Sequence, residues 1–74
     1  IRVNAISPGP IWTEGMGEMM GSRENAEANL GSLNVMGRVG EPSEVAAGVV
    51  FLGSDASSFI TGQILRIDGG IHIR

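Results

Sequence analysis

The sequence of 74 residues predicts an α/β fold with a parallel sheet, and three stretches of the chain carry that prediction. A short β-prone run lies near the start, a second lies at residues 63–68, and an apolar, helix-forming stretch at residues 42–52 separates them. Two strands joined by a long helical crossover form the βαβ pattern of a parallel sheet. Two strands do not make a stable sheet by themselves, so we expect the remaining strands to come from outside this chain.

The first predicted strand contains four β-prone apolar residues, namely Ile1, Val3, Ala5 and Ile6. It ends near Ser7, because the two prolines of the following Pro8-Gly9-Pro10 run cannot donate hydrogen bonds to a sheet. Only Arg2 and Asn4 interrupt the apolar pattern, which favours a strand covered on both faces. The chain opens with Ile inside this apolar run, so we expect further sequence upstream.

The middle of the chain, residues 15–40, is rich in Gly, Met, Asn and Glu and predicts a long mobile excursion. We expect one helix in it, from about Ser22 to Leu33, with Ser22 as the N-cap. All the methionines of the chain lie here: Met16, Met19, Met20 and Met36. Their flexible side chains suit either an adaptable binding surface or gaps in a core beneath a loop, and the sequence does not decide between the two.

The crossover helix begins at Glu41-Pro42-Ser43-Glu44, where proline loses no needed hydrogen bond and the acids suit the positive end of the helix dipole. We expect it to run from Pro42 to about Leu52, with Gly53 as a left-handed C-terminal cap and a short turn from Ser54 through Phe59. Its body is apolar almost all the way round, so we expect a sheet to cover one side and a partner subunit the other.

The last predicted strand, residues 63–68, follows a Thr61-Gly62 turn and ends at Asp68-Gly69-Gly70. Alternation places Leu65 and Ile67 on one face, with Ile64 and Arg66 on the other. We expect Asp68 to help form the turn that follows the strand.

Composition excludes several classes of protein. The chain has 42% hydrophobic and 18% charged residues, a net charge of -3 and no apolar stretch long enough to cross a bilayer. Its five arginines are scattered among eight acids, so we expect no nucleic-acid partner. With no cysteine and one histidine, we expect no disulfide and no metal site, and a cytoplasmic location is the default expectation.

Three motifs, in this order and spacing, resemble one family of enzymes. They are RVNAISPGPIWT at residues 2–13, GRVGEPSEVA at residues 37–46 and ITGQILRIDGG at residues 60–70. Together they are similar to the C-terminal portion of a short-chain dehydrogenase/reductase, and the resemblance covers essentially the whole chain. Each motif alone would be weak, because Pro-Gly after a strand and Asp-Gly-Gly turns occur in many folds.

The resemblance implies the C-terminal part of a Rossmann-like doubly wound parallel sheet, with its last two strands, lid helices and crossover helix. It implies an NAD(P)-dependent oxidoreductase that transfers a hydride between the nicotinamide and a carbonyl or alcohol substrate. On this basis residues 1–14 supply a strand and a nicotinamide-contacting loop, residues 15–40 a substrate lid, and residues 41–74 the crossover helix and last strand. It also implies a homo-oligomer, with a tetramer favoured, assembled through the 42–52 helix and the 63–68 strand.

The same resemblance assigns site residues. The cofactor-binding residues it implies lie in one run, namely Pro8, Gly9, Pro10, Ile11 and Thr13, where the backbone at Ile11 and the hydroxyl of Thr13 would bond the carboxamide. The residues it implies for the substrate lid are Trp12, Met16, Met19 and Met20. Trp12 points either into the substrate cavity or onto the lid, and the sequence leaves both open.

The chain also departs from the family pattern, because it contains neither tyrosine nor lysine. The family's phosphate-binding glycine loop, catalytic serine and Tyr-x-x-x-Lys pair would all lie upstream. NAD and NADP are indistinguishable from this chain, because the residue that reads the adenosine ribose follows the family's second strand, which is absent here. We expect no catalytic residue in this chain and no activity from it alone. The alternative is a separate, non-catalytic chain that acts as an assembly or interaction module.

Three other features carry no functional prediction. The glycine-rich run of residues 15–21 resembles a dinucleotide-binding loop but does not follow a buried strand, so we expect a flexible loop there. His72 is a lone imidazole, for which we expect a solvated or interface-packed tail. Glu14 and Asp68 are isolated acids, and we assign neither to catalysis.

Overall fold

The computed structural model describes residues 1–71 and contains a small parallel sheet. Strand β1 (Ala5–Pro8) pairs with strand β2 (Ile64–Ile67), with Ala5 opposite Ile64 and Pro8 opposite Ile67. The predicted α/β class, the parallel pairing and both strands are confirmed. Each strand is shorter than the sequence indicated. At β1 the reason is that residues 2–4 bond to the loop that leads into β2.

Two polar side chains that interrupt the first apolar run hold that loop. The guanidinium of Arg2 donates hydrogen bonds to the Ser57 hydroxyl and the Ile60 carbonyl, both at 3.1 Å. The amide of Asn4 donates to the Ile60 carbonyl at 3.1 Å and accepts from the Gln63 backbone at 3.0 Å. These residues are therefore anchors that fix the entry to β2, a role that the hydrophobic pattern did not indicate.

Helix α3 (Pro42–Leu52) has the predicted bounds and begins with a capping box formed by Glu41 and Glu44. Its predicted left-handed cap is wrong, because Gly53 has a φ of −86° and a right-handed conformation. The Ser54 hydroxyl instead donates to the Phe51 carbonyl at 2.8 Å. The chain then passes directly into a 3-10 turn at Asp55–Ser57, which leaves no need for a left-handed residue.

One side of α3 packs on the sheet at Gly48. A β-carbon at this position would clash with the end of the Ile67 side chain and would lie 3.6 Å from Ile6 and Leu65. The other side is uncovered, since Val50 is 70% exposed. The predicted contact with a sheet is confirmed, and the second apolar side lies open in the single chain.

The middle of the chain forms two helices, α1 (Glu14–Met20) and α2 (Arg23–Leu30), followed by a 3-10 turn at Gly31–Leu33. We call residues 14–33 the helical segment. The predicted cap of the second helix is confirmed, because the Ser22 hydroxyl accepts from the Asn25 backbone at 3.1 Å.

Helix α1 was not predicted, and the expectation of a flexible loop at residues 15–21 is wrong. Its glycines lower the intrinsic helix propensity, which is why the sequence pattern missed it. Two contacts favour the helix nonetheless: a cap by the Thr13 hydroxyl and close packing of the Trp12 ring on Gly17. The run forms a helix rather than a phosphate-binding loop.

Three of the most buried side chains lie where the helical segment meets the loop before α3; a fourth, Ser57, lies in the turn after α3. Ala26 and Val39 are fully buried, and Asn34 is 3% exposed. The Asn34 amide donates to the Arg38 carbonyl at 2.8 Å, while its oxygen accepts from the Gly37 backbone at 2.8 Å. This side chain therefore organises residues 34–38, which reach the strand ends through a bond from the Met36 backbone to the carbonyl of Gly69.

Candidate functional site

The carboxyl ends of the two parallel strands lie side by side and leave by close-packed turns. The Gly9 backbone donates to the Ile67 carbonyl at 2.9 Å, and a β-carbon on Gly9 would lie 2.7 Å from the Cα of Asp68. Only glycine fits such an approach of two backbones. The Asp68 carboxylate accepts from the Gly70 backbone at 2.8 Å, which confirms its predicted role in the turn.

Beyond this turn, the chain forms a single parallel bridge between Ile11 and Gly40. Gly40 donates to the Pro10 carbonyl and accepts from the Trp12 backbone, each at 2.9 Å. The N–H and C=O of Ile11 therefore point to the opposite side, where neither makes a hydrogen bond within residues 1–71. They form a free donor and acceptor pair at the strand exit, close to the ends of the sheet where α/β proteins bind ligands.

Thr13 lies two residues further on and begins α1. Its hydroxyl oxygen accepts a hydrogen bond from the Met16 backbone at 3.1 Å. A hydroxyl has one donor and two acceptor sites, so this cap leaves its proton free to donate. Ile11 and Thr13 together thus present two donors and one acceptor within three residues.

Six of the nine predicted site residues line two open hollows, each of about 460 Å³. Pro10 and Ile11 line the first, together with residues 34–36 and 66–70. The second is apolar, and its lining is Thr13, Gly15, Met16, Met19, Met20 and Leu30. Pro8 pairs with Ile67 of β2 and Gly9 packs on Asp68, and neither lines a hollow; nor does Trp12. Among the methionines, Met19 is 84% exposed and none is buried, so they do not fill a core.

Trp12 lies against the helical segment. A β-carbon on Gly17 would approach the Cη2 atom of its ring to 3.1 Å. From α2, the guanidinium carbon of Arg23 lies 5.7 Å from the ring centroid, within the range of a cation–π contact. The indole therefore forms part of the contact between the strand exit and both helices.

Charged residues surround the start of α3. Arg38 donates to both carboxylate oxygens of Glu44, at 2.8 and 2.9 Å. This bidentate pair and a hydrogen bond from the Glu41 backbone lower the pKa of Glu44 to about 2. On the other side, a hydrogen bond to Glu41 raises the pKa of Arg23.

The sequence analysis missed these contacts, and only one of them had a local signal. Arg23 and Glu27 stand four residues apart on a helix, a spacing that brings opposite charges together. The Arg38–Glu44 pair spans a loop and a helix start, for which no simple spacing rule exists. The role of Asn34 was equally hidden in a stretch rich in Asn and Gly.

The sequence analysis also considered metal binding, His72 and membrane-spanning segments. Over the residues that the structure describes, no three His, Cys, Asp or Glu side chains gather as a metal site would require. His72 lies outside the described residues. No helix within residues 1–71 has the length and apolarity needed to span a membrane.

Comparison with known proteins connects this geometry to a family. A family model described as enoyl-(acyl carrier protein) reductase matches residues 1–72. The glucose and ribitol dehydrogenase homolog of Oryza sativa subsp. japonica is 46% identical over 73 residues, a match that covers 99% of this chain and 24% of that protein.

Solved structures give the same relationship. ElxO, solved with NADP bound, aligns with a TM-score of 0.86 and 37% identity over 99% of this chain and 29% of its own. A 4-hydroxyisoleucine dehydrogenase complexed with NADH aligns with a TM-score of 0.84 and 36% identity over 100% of this chain and 30% of its own. This chain thus spans between 24% and 30% of these relatives, and its structural neighbours are Rossmann-fold enzymes. The match across residues 1–72 shows that the chain belongs to the short-chain dehydrogenase/reductase family.

Proposed function

We propose that the chain is the C-terminal part of an NAD(P)-dependent oxidoreductase that acts on a carbonyl or alcohol substrate. In this proposal residues 1–14 contact the nicotinamide, residues 15–40 cover the substrate and residues 41–74 complete the sheet and a subunit interface. The proton-donating tyrosine and its lysine belong to the preceding part of the protein. The chain alone is inactive.

The observation that carries the proposal is the free polar edge at Ile11. A carboxamide offers one N–H₂ donor group and one acceptor oxygen, which the C=O and N–H of Ile11 match in kind. The free hydroxyl proton of Thr13 adds a second donor close by. Relatives of this fold solved with NADP and with NADH support a nicotinamide cofactor of either type.

The residues of this chain bind and orient the ring in this proposal. When bound, the nicotinamide supplies or accepts the hydride. The Pro8-Gly9-Pro10 run, held by the contact between Gly9 and Asp68, keeps the edge at Ile11 rigid and limits the entropy that binding costs. The helical segment excludes water from the reacting atoms when it closes.

The substrate is a small carbonyl or alcohol compound in this proposal. The apolar hollow next to Thr13, lined by Met16, Met19 and Met20, suits the carbon skeleton of such a compound. The plant relative named as a glucose and ribitol dehydrogenase homolog supports an alcohol of this kind.

The exposed apolar residues of α3 and β2 support a homo-oligomer, with a tetramer favoured, through the 42–52 helix and the 63–68 strand. Val50 is 70% exposed and Ile64 is 66% exposed. A separate assembly module would use the same surfaces, and this is the alternative function. Concentration-dependent association without any binding of NAD(P) would favour that alternative.

The test uses the full-length protein that we propose carries this chain, assayed for NAD(P)-linked oxidation and reduction of alcohols and carbonyl compounds. Replacement of Thr13 by Val removes the hydroxyl, and we expect about fivefold weaker cofactor binding, since one hydrogen bond contributes on the order of 1 kcal/mol. Thr13→Ser keeps the hydroxyl and should bind within about threefold of wild type.

Loss of the α1 cap is a second effect of Thr13→Val, so a matched control is needed. Ser22→Ala removes the equivalent cap of α2 without touching the proposed cofactor edge. Cofactor binding that falls equally in Ser22→Ala and Thr13→Val would contradict the role of the Thr13 hydroxyl. A full-length protein that binds neither NAD nor NADP would contradict the proposed function itself.

A further inference from the structure

One cation, Arg23, lies at the contact between Trp12 and the two helices. The indole lies on the backbone of Gly17 in α1, where a β-carbon would come within 3.1 Å of it. From α2, the guanidinium of Arg23 lies over the ring at 5.7 Å from its centroid. A planar guanidinium can stack on an aromatic ring and still donate hydrogen bonds from its edge.

Arg23 uses its edge in this way, because it forms ion pairs with two carboxylates. One belongs to Glu27, a turn further along α2, at 3.5 Å, and the other to Glu41, which caps α3. The hydrogen bond to Glu41 is the main cause of the raised pKa of Arg23, so the cation persists across the accessible pH range.

Glu27 and Glu41 each connect Arg23 to another part of the chain. The second oxygen of Glu27 accepts from the backbone N–H of the buried Val39 at 2.9 Å. Glu41 follows Gly40, which forms the bridge with the strand exit at Ile11. The strand exit, α2 and the loop before α3 are therefore joined in a closed circuit of contacts, with Arg23 at its centre.

We propose that Arg23 is a positioning residue for the substrate: held by Glu27 and Glu41, it fixes the Trp12 ring against Gly17 and so sets the position of α1, which lines the apolar hollow. The substrate part of this proposal rests on the proposed function. Trp12 itself lines neither hollow, but the helix it packs against, α1, supplies four residues to the lining of the apolar hollow. A displaced ring therefore shifts α1 and changes the space left for the substrate.

The size of the effect follows from the exposure of the charges. The side chains of Arg23 and Glu41 are 42% and 40% exposed, so water and salt screen their attraction. Exposed ion pairs and cation–π contacts are weak one by one, and together they predict about a fivefold change in substrate KM rather than a loss of activity.

The test compares Arg23→Met with wild type in the full-length protein. Methionine keeps an unbranched side chain and loses the charge, so we expect substrate KM to rise about fivefold while kcat stays within about twofold. High salt weakens the ion pairs of Arg23, which only wild type has, so it should reduce the difference in substrate KM between wild type and Arg23→Met. Arg23→Lys keeps the charge but loses the planar guanidinium, so its substrate KM should lie between those of wild type and Arg23→Met.

Glu24→Gln is the matched control, because it removes a charge from the same helix at an exposed side chain. A second measurement is the emission of Trp12, obtained as the difference from a Trp12→Phe variant. Arg23→Met should make the ring more accessible to a soluble quencher, and Gly17→Ala should displace the ring without any change of charge.

The outcomes separate this proposal from the proposed function. An unchanged substrate KM in Arg23→Met, or an equal change in Glu24→Gln, would overturn the positioning role even if the protein melted at a lower temperature. Absence of NAD(P)-linked turnover in wild type would instead overturn the proposed function, and Trp12 emission would then decide whether Arg23 holds the ring. Emission that is the same in Arg23→Met and wild type would show that it does not.

Discussion

The β1–α3–β2 unit and the helical segment are stabilised in different ways. The first has a parallel backbone ladder and a glycine contact that brings α3 directly onto the sheet at Gly48. The second buries only the small residues Ala26 and Gly31, and it meets the rest of the chain largely through polar contacts of side chains, above all Glu27 with the Val39 backbone and Arg23 with Glu41. Backbone ladders and packed apolar surfaces resist deformation, whereas exposed ion pairs are weak and screened. The comparison indicates a rigid support beside an adjustable cover.

This difference in stabilisation agrees with the roles proposed for the two regions, cofactor binding at the exit of β1 and substrate cover by the helical segment. A nicotinamide must be held in a fixed orientation, so its contacts belong on the rigid unit, at the exit of β1. A substrate must enter and leave, which favours a cover attached by contacts of low individual strength. The predictions below test this contrast at one position in each region and at the junction of the two.

The largest effect is expected in the rigid unit, at Gly9. A β-carbon there would lie 2.7 Å from both Cα and Cβ of Asp68, and neither backbone can move without disturbing the ladder. We expect Gly9→Ala to lower the free energy of unfolding by about 2–3 kcal/mol, the cost of overpacking a tight contact. Chemical denaturation of the full-length protein measures this change.

Gly15→Ala is the matched control, because its β-carbon would meet only the Thr13 hydroxyl oxygen, at 3.8 Å. It lies inside α1, where alanine is favoured over glycine by about 1 kcal/mol, so this variant should be neutral or more stable. Equal destabilisation by both variants would contradict the distinction between the two regions.

An intermediate effect is expected at Asn34, which holds the loop between the helical segment and α3. Asn34→Ala leaves the Gly37 N–H and the Arg38 C=O without these partners, and we expect a loss of about 2 kcal/mol. Thermal unfolding measures the loss. Asn29→Ala, an exposed amide on α2, is the control and should cost less than about 0.5 kcal/mol.

The smallest effect is expected from the exposed pair of Arg38 and Glu44. Because the folded pKa of Glu44 is about 2 and its ordinary value is 4.5, the pair contributes stability above pH 4.5 and loses it as the pH falls towards 2. We expect Glu44→Gln to be slightly less stable than wild type at neutral pH, with the difference vanishing at low pH. Unfolding curves of both proteins over this range provide the test, and a difference that grows on acidification would contradict it.

The sequence predicted the rigid unit well because its signals are local and periodic. Pro42 marked the start of α3, and alternation placed Leu65 and Ile67 on the same face of β2. The bounds of α3 agree with the structure. Hydrophobic pattern carried no information on Arg2, whose side chain bonds to residues more than fifty positions away.

The helical segment was predicted poorly because its contacts are specific rather than periodic. Helix α1 forms despite Gly15 and Gly17, through a cap and an indole that lies outside the helix. At Gly53 a local signal was present but misleading. Glycine suits a left-handed cap, yet Gly53 adopts a right-handed conformation because the chain continues directly into a 3-10 turn. The cofactor and lid residues came from family resemblance, and their roles stay predictions.

The central claim is that the exit of β1 contacts the nicotinamide, and hydrogen exchange of the full-length protein tests it most directly. Exchange is compared with and without saturating NADH or NADPH. The account predicts slower exchange at the Ile11 amide and around Thr13, with unchanged exchange at residues 54–60, which lie at the opposite end of β1. Cofactor binding that slows exchange elsewhere and leaves residues 10–13 unchanged would contradict it.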